Sequence, residues 1–251
     1  VFLSDKGAIG ESYQKELDDH QIEWEQGKHS SERIINADLV VKSPGIPPNV
    51  SIIEKIRSAK TPLLSEIEFA SLHTDAELIG ITGTNGKTTT AMLTHHLLAS
   101  AGKSVALAGN IGSSFAKAVT TSSPDYWVLE LSSFQLEDID SFHPRYAVMT
   151  NLTPDHLDRY DNSFERYVDA KFCMLKNQTN KDYFIYDDTD DEIKLAIEKH
   201  KPKSQCIPYT DKTIKHERFN TTDMIQIDNP SLEGIHNAKN AMAAATIAQL
   251  V

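Results

Sequence analysis

The chain has 251 residues, 39% hydrophobic and 24% charged, a composition typical of a globular protein with one or two domains. A formal net charge of −11 argues against a general nucleic-acid-binding surface, and no apolar run reaches the roughly 18 residues that would span a membrane. The two cysteines, Cys173 and Cys206, are too few for a disulfide framework and lack metal-ligand spacing, so we expect a reducing, cytosolic compartment.

The first 72 residues alternate segments typical of strands and helices. Residues 1–5 begin directly in a strand-like run, without Met and without the features of a signal peptide, so we expect the chain to be a portion of a longer one. A short buried strand is predicted at 38–43 and is ended by the proline-rich loop 44–48. Further on, helices are predicted at 51–59 and 65–72, with a short strand at 61–64.

The polar residues 73–76 separate this region from the rest of the chain, and we place a domain boundary between residues 74 and 75. Beyond it, strand and helix patterns alternate, which favours an α/β fold with a mostly parallel sheet and ligands beyond the carboxyl ends of its strands. Strands are predicted at 77–82, 104–108, 126–131, 146–150, 183–186 and 205–208, and helices at 87–101, 112–119, 163–177, 190–199 and 235–250. The segment 210–233 is polar and irregular.

The most informative segment, 77–90, is predicted to be an apolar strand, a glycine-rich turn and a helix that begins at Lys87. Such a turn aims backbone N–H groups and a helix N-terminus at one anion, with a lysine for the terminal phosphates and a hydroxyl at Thr88 for magnesium. The strict phosphate-loop pattern requires glycine where this chain has Ile81, so the match is to a variant. The alternative is a glycine turn before an ordinary amphipathic helix. The pattern predicts a nucleoside triphosphate site.

Two further polar residues follow predicted strands. Glu130 ends the apolar run 126–129, where phosphate-loop enzymes hold magnesium, although a glutamate at a strand end is often a solvated charge. His156 follows the strand at 146–150, and a neutral imidazole there is a plausible metal ligand or substrate partner. A lone loop histidine is otherwise unremarkable.

The helix at 163–177 contains a lysine within its apolar stripe. Asn162 and Glu165 are predicted to form a capping box at its start. Lys171 lies four residues from both Tyr167 and Leu175, so it must snorkel, pair or lose its charge. Periodicity alone favours snorkelling. A neutral buried lysine would instead react with carbon dioxide, and the resulting carbamate would suit magnesium.

The predicted helix at 235–250 begins near two asparagines, Asn237 and Asn240, which are three residues apart and share a face. Asparagines at a helix start are commonly caps. Beside a nucleotide pocket, the pair could instead recognise the edge of adenine, because an amide both donates and accepts hydrogen bonds.

Taken together, these segments resemble the Mur ligase family, ATP-dependent amide-forming enzymes of peptidoglycan precursor synthesis. The resemblance covers nearly the whole chain. Residues 129–136 resemble the block that distinguishes the D-glutamate-adding member of the family. The matching motifs lie at 82–88, 109–112, 129–136, 151–160, 167–171 and 236–240.

The resemblance implies a role for each matching residue. Lys87 and Thr88 would hold the ATP phosphates and magnesium, Glu130 would bind magnesium, and His156 would bind a second magnesium bridged by carbamylated Lys171. The implied ATP-binding set is Gly83, Thr84, Asn85, Gly86, Lys87, Thr88, Thr89, Asn237 and Asn240. The implied substrate-binding set is Ser4, Asp5, Ser43, Gly45, Asn110, Ser132 and Gln135. The implied catalytic set is Lys87, His156 and Lys171.

The implied reaction is ATP-dependent addition of D-glutamate to UDP-N-acetylmuramoyl-L-alanine through an acyl phosphate. The expected fold is an incomplete Rossmann-like domain at 1–74, which binds the UDP substrate, and an incomplete phosphate-loop ATPase domain at 75–251. The family's first glycine-rich turn and its third domain would lie outside the chain. We therefore expect these 251 residues alone not to complete the ligation, and expect a monomer with no nucleic-acid or membrane partner.

Three alternatives remain. A folylpolyglutamate synthase-type ligase should lack the Ser-Ser-Phe-Gln block at 132–135. An assay that compares folate with the UDP-linked substrate would distinguish the two. A GTPase-like switch needs an Asn-Lys-x-Asp motif, to which residues 151–155 fit poorly. A binding module would keep nucleotide without chemistry, and metal-binding residues would then be superfluous.

Overall fold

The computed structural model describes residues 1–209 and 234–251. The predicted irregular segment 210–233 lies outside the described residues. The chain divides into two compact units, Val1–Leu64 and Ser65–Val251. The helix that starts at Glu66 belongs to the second of these units. The predicted domain boundary between residues 74 and 75 stays a prediction.

The first unit is small and contains short elements. Strands β1 and β2 pair in parallel, and β3 and β4 form a second two-stranded sheet. Three isoleucines of α3, Ile52, Ile53 and Ile56, form its buried cluster. The elements in chain order are β1 (Phe2–Asp5), α1 (Glu11–Asp19), β2 (Glu23–Gln26), α2 (Ser31–Ile35), β3 (Val40–Lys42), α3 (Ser51–Ala59) and β4 (Leu63–Ser65).

The second unit is built on a six-stranded sheet in the order β10-β9-β8-β5-β7-β6, and its strands pair in parallel, which confirms the predicted α/β class. Its strands are β5 (Glu77–Thr82), β6 (Val105–Gly109), β7 (Tyr126–Glu130), β8 (Tyr146–Met149), β9 (Tyr183–Asp187) and β10 (Gln205–Tyr209). Its α-helices are α4 (Glu66–Ser71), α5 (Lys87–Ser100), α6 (Phe115–Thr121), α7 (Phe164–Phe172), α8 (Asp191–His200) and α9 (Ile235–Leu250). Short 3₁₀ helices lie at Ser133–Leu136, Leu157–Tyr160 and Cys173–Leu175.

Helices cover both faces of this sheet, which explains why its central strands are apolar without alternation. On β5, Leu78 belongs to the cluster that includes residues of α4, α6, α7 and α8. Its neighbours Ile79 and Ile81 belong to the opposite cluster, with residues of α5 and α9. Strands β6 and β7 lie on one side of β5, and the chain then crosses to form β8 on the other side. The strand order therefore reverses at β5. A crevice for ligands is expected at the carboxyl ends of β5, β7 and β8.

The predicted elements are confirmed, with ends that move by a few residues. The helix predicted at 163–177 ends at Phe172 and continues as a 3₁₀ turn. The predicted capping box is wrong, because Asp161 and Asn162 both adopt left-handed backbone conformations that close the preceding turn. The N-cap is therefore Ser163, whose side chain accepts a hydrogen bond from the N–H of Arg166.

Among residues 1–209 and 234–251, none of the helices combines the length and the apolar character needed to cross a bilayer.

Candidate functional site

The glycine-rich turn between β5 and α5 forms a tight cradle. Gly83 and Gly86 have φ values of 141° and 82°, a region that favours glycine. A Cβ atom at Gly83 would lie 2.0 Å from Oγ1 of Thr150, and one at Gly86 would lie 2.3 Å from Oδ1 of Asn240. Both positions therefore favour glycine, and a side chain at either one would require Thr150 or Asn240 to move. It leads into the first turn of α5, whose backbone N–H groups have no acceptor within the helix.

The residues after β8 hold this turn in place. The side chain of Asn151 accepts from the N–H of Asn85 and donates to its carbonyl, both at 2.9 Å. The Thr150 hydroxyl also donates to that carbonyl, at 2.6 Å. The N–H of Thr84 donates to the Asn151 carbonyl at 2.9 Å. No role was predicted for Thr150 or Asn151, although their place at the end of a sheet strand was a usable signal.

Lys87 folds back over the same turn. Its Nζ donates to the carbonyls of Gly83 and Thr84, at 3.1 and 2.7 Å. Burial lowers the pKa of Lys87, while the charges of Glu130 and Asp155 oppose that shift. The ammonium group therefore lies at the cradle, where an anion would offer it stronger acceptors than carbonyls.

Glu130 joins the turn to the neighbouring strands. It lies beside Ile81 in the β5–β7 register and is 3% exposed. One carboxylate oxygen accepts from the Thr88 hydroxyl at 2.7 Å, and the other accepts from Nδ2 of Asn110 at 2.9 Å. The structure thus brings together the predicted metal ligands Thr88 and Glu130, and adds Asn110, which was assigned to substrate.

These groups fit a magnesium ion. Among the described residues, no group of three or more histidine, cysteine, aspartate or glutamate side chains is arranged to hold a metal. A threonine hydroxyl and one carboxylate beside a phosphate cradle are nevertheless a suitable donor set, because Mg²⁺ commonly combines one or two protein oxygens with phosphate and water.

Lys171 does not snorkel, contrary to the expectation from periodicity. It is 2% exposed, and its Nζ donates to the Gly83 carbonyl at 2.8 Å and lies 4.6 Å from the centre of the Tyr167 ring. Burial, followed by the nearby charge of Lys87, lowers its pKa to about 7, against an opposing effect of Asp155. A large fraction of the amine is therefore neutral near physiological pH, as its reaction with carbon dioxide would require.

Tyr167 contacts both Lys171 and the cradle, a position that the sequence pattern did not predict. Its hydroxyl is 3.1 Å from the Thr84 hydroxyl, which also donates to the Thr153 carbonyl at 3.0 Å. Burial raises the pKa of Tyr167, so its hydroxyl keeps its proton.

His156 is exposed and has a left-handed backbone conformation, with φ of 49°. Its ring lies 5.3 Å from that of Phe134, and its Nε2 is 3.6 Å from Oδ2 of Asp155. The contacts described for His156 do not include Lys171, and the predicted pairing of these residues through magnesium stays a prediction. Asp155, which was given no role, influences the pKa of both Lys87 and Lys171.

The predicted substrate residues Ser132 and Gln135 bind each other. They form a capping box at the 3₁₀ helix after β7, in which Oε1 of Gln135 accepts from the Ser132 N–H at 3.0 Å and the Ser132 hydroxyl accepts from the Gln135 N–H at 3.3 Å. This box fixes the polypeptide immediately after Glu130.

The predicted adenine residues reach the cradle from α9. Asn240 is buried against Gly86, and its Nδ2 lies 3.4 Å from Oδ1 of Asn237. Asn240 is therefore adjacent to the phosphate turn and Asn237 contacts it, while their role at adenine stays a prediction.

The remaining predicted substrate residues lie in the first unit. The Ser4 hydroxyl donates to Glu25 at 2.8 Å, and Asp5 accepts from the N–H of Gly7 at 2.7 Å. The Ser43 carbonyl accepts from the N–H of Ile46, and a Cβ atom at Gly45 would have no neighbour within 4 Å.

The second unit thus has the architecture of a phosphate-loop nucleotide-binding protein. A family model described as the Mur ligase middle domain matches residues 81–248, and one described as the MurD N-terminal domain matches residues 1–52. The chain therefore belongs to the Mur ligase family.

Curated relatives are similar over the whole chain. Proteins named UDP-N-acetylmuramoylalanine--D-glutamate ligase from Christiangramia forsetii and Bacteroides fragilis are 46% and 45% identical over 100% of the chain. The chain spans 59% of the length of each. Among solved structures, a UDP-N-acetylmuramate:L-alanyl-gamma-D-glutamyl-meso-diaminopimelate ligase from Neisseria meningitides has a TM-score of 0.64 at 16% identity, over 98% of this chain and 85% of that one. That similarity supports the fold.

Proposed function

We propose that the protein is an ATP-dependent ligase that adds D-glutamate to UDP-N-acetylmuramoyl-L-alanine, the activity named for its curated relatives. The observation that supports this best is the convergence of Lys87, Thr88, Glu130 and Lys171 on one glycine turn at the point where the strand order reverses. Two lysine side chains and one buried carboxylate meet there.

ATP would bind across this cradle. Gly83 to Thr89 would surround the phosphates, with Lys87 neutralising the terminal ones, while Asn237 and Asn240 would contact adenine. Thr88 and Glu130 would hold magnesium, which supplies positive charge to the phosphate oxygens. Because Thr84 and Asn85 use their N–H groups to hold the turn, we assign phosphate binding mainly to the amides at the start of α5.

The chemistry follows from the need to bring two anions together. The terminal alanine carboxylate of the substrate attacks the γ-phosphorus of ATP, giving an acyl phosphate and ADP. The amine of D-glutamate then attacks the acyl carbon, loses a proton and releases inorganic phosphate as the amide forms. Lys87 reduces the repulsion between the carboxylate and the triphosphate, so its charge is required in the first step.

Lys171 would act as a carbamate and His156 as a ligand of a second magnesium. The partly neutral amine of Lys171 supports the first assignment. The second assignment is supported by the exposed imidazole of His156, which lies beside the Asp155 carboxylate. Activity of Lys171→Ala equal to that of the parent would refute the carbamate role.

Asn110, Ser132 and Gln135 would contact the substrate beyond Glu130. Ser4, Asp5, Ser43 and Gly45 would lie near its uridine diphosphate. We further propose that the protein acts as a cytoplasmic monomer without nucleic-acid or membrane partners.

The test is phosphate release by the intact protein with ATP, UDP-N-acetylmuramoyl-L-alanine and D-glutamate. We expect release to require all three, and Lys87→Ala to lower kcat by about 100-fold or more, as for other residues that stabilise transition-state charge. Lys199→Ala, which removes an exposed lysine of α8, is the matched control. Release with folate in place of the UDP-linked substrate would favour a folylpolyglutamate-type ligase, and ATP binding without any release would favour a binding module.

A further inference from the structure

An ion pair between a partly exposed lysine and a buried aspartate links α9 to the end of β9. Nζ of Lys239 lies 2.8 Å from Oδ2 of Asp187 and 2.6 Å from the Thr189 hydroxyl. Asp187 is 3% exposed, and its other oxygen accepts from the N–H and hydroxyl of Thr189, at 2.9 and 2.7 Å. Both oxygens of the buried Asp187 carboxylate therefore have partners, as a buried charge requires.

Lys239 is adjacent in sequence to one predicted adenine residue and two positions from the other. Asn240 packs against Gly86, and Asn240 also contacts Asn237. A lysine between them that is anchored to the sheet fixes both the depth and the rotation of the first turns of α9. A helix rotated about its axis would carry Asn240 away from the phosphate turn.

The same cluster reaches the phosphate turn by a second route. Asp187 begins the turn that leads into α8, and Asp190 in that turn accepts from the N–H of Leu152 at 2.9 Å. The preceding residue, Asn151, binds the backbone of Asn85 on both sides. The β9–α8 turn thus contacts α9 on one side and the segment that holds the cradle on the other.

We propose that Asp187 and Lys239 are a positioning pair for the nucleotide, which fixes the start of α9 against the phosphate turn. This inference rests on the proposed binding of ATP at the cradle. Neither residue is a catalytic residue. Their effect is on the affinity for ATP, and it does not extend to the binding of the other two substrates.

The experiment measures ATP dissociation constants by calorimetry, and the KM of the UDP-linked substrate, in the intact protein. Lys239→Met removes the charge at similar side-chain length, and we expect it to raise the Kd for ATP by about tenfold while the KM of the UDP-linked substrate changes less than about twofold. Asp187→Asn, which is nearly isosteric, should have a similar effect. Lys239→Arg keeps charge and reach and should restore most of the affinity.

The matched control is Lys194→Met on α8, which breaks an exposed lysine–aspartate pair with Asp191. It should leave the Kd unchanged. The double variant of Asp187 and Lys239 should be no worse than the worse single variant, because both changes remove one interaction.

Several outcomes would overturn the inference. If the parent binds ATP and Lys239→Met and Asp187→Asn bind it equally well, the pair does not position the nucleotide. If both substrates lose affinity to the same extent, or Lys239→Arg fails to restore binding, the pair has only a structural role. If the parent itself binds no ATP, the proposed function fails, and this inference fails with it.

Discussion

At the scale of single residues, Lys171 shows how burial changes the chemistry of a side chain. Its ammonium form has lost water and lies near the charge of Lys87, so the neutral form is favoured in the folded protein. In the unfolded chain its pKa returns to about 10.5. The unfolded state therefore binds more protons between pH 7 and 10.5, and stability rises with pH across that range.

We therefore predict that Lys171→Met is more stable than the parent at pH 6 and that its advantage shrinks as the pH rises toward 10. Each unit of pKa shift corresponds to about 1.4 kcal/mol, so the difference should be several kcal/mol at most, reduced by the lost hydrogen bond to Gly83. Urea unfolding between pH 6 and 10 measures it. Lys199→Met, at an exposed site, should show no such trend, and a pH-independent difference at Lys171 would contradict the prediction.

The residues of the site were predictable to different degrees. The phosphate turn, Lys87 and Glu130 could be proposed from the sequence because glycine spacing and strand ends have local signatures. Thr150, Asn151 and Tyr167 were missed, because their roles depend on which strands and helices become neighbours of the turn. His156 and Lys171 were predicted to act together, yet their contacts in the structure are separate.

At the scale of elements, three glycines near the ends of α5 differ in how far backbone conformation and close packing each require glycine. Gly83, Gly86 and Gly102 all have positive φ. A Cβ atom at Gly83 meets the hydroxyl and backbone nitrogen of Thr150, whereas one at Gly86 meets the movable side chain of Asn240. At Gly102 nothing lies within 4 Å.

Alanine at these three positions should therefore destabilise in the order Gly83, Gly86, Gly102. Gly102→Ala should cost about 1 kcal/mol for the left-handed conformation alone, and Gly83→Ala about 2–4 kcal/mol once the clash is added. Gly86→Ala should fall between them and should also weaken ATP binding, because Asn240 must move. Thermal unfolding measures the order, and equal losses at all three would show that the contacts at the turn are not as described.

Two carboxylates of helix α4, in different environments, hold the loop at 140–142 and the start of α6. Glu68 is 1% exposed and accepts four hydrogen bonds from residues 140–142, including those from the N–H groups of Asp140 and Phe142. Burial raises the pKa of Glu68, but the hydrogen bonds outweigh it and lower the pKa overall. Glu66 accepts from the N–H of Ala116, and burial dominates there and raises its pKa.

The two carboxylates should therefore respond in opposite ways to acid. Glu68 stabilises the fold above the ordinary carboxyl pKa of 4.5 and loses that contribution as the pH falls, so Glu68→Gln should cost about 2–4 kcal/mol at pH 7 and less at pH 4. Burial favours the protonated form of Glu66, so Glu66→Gln should change the free energy of unfolding little at pH 7. As the pH falls, the parent should become more stable relative to this variant. Urea unfolding at pH 7 and pH 4 measures the stability change caused by each substitution. If both changes varied with pH in the same direction, the assignment would be contradicted.

At the scale of the whole molecule, the alternation of strands and helices predicted the fold class, because buried apolar runs and amphipathic helices have distinct periods. The strand order was not predictable in this way. The runs in β5, β7 and β8 are similarly apolar, and only their packing decides which pair forms. The start of α7 was misplaced by one residue, because Asn162 and Ser163 are both good caps and the preceding turn uses the first.

The division of the chain into two compact units leads to a prediction about the whole molecule. The proposed ATP site lies within Ser65–Val251, so ATP with magnesium should stabilise that unit and leave the unfolding of Val1–Leu64 unchanged. A ligand at 100 times its Kd adds about 2.7 kcal/mol to the state that binds it. Calorimetry should show one shifted transition, and hydrogen exchange should show added protection at 83–90 and at the start of α9. With Lys87→Ala the shift should be lost, and protection confined to the first unit would place the nucleotide elsewhere.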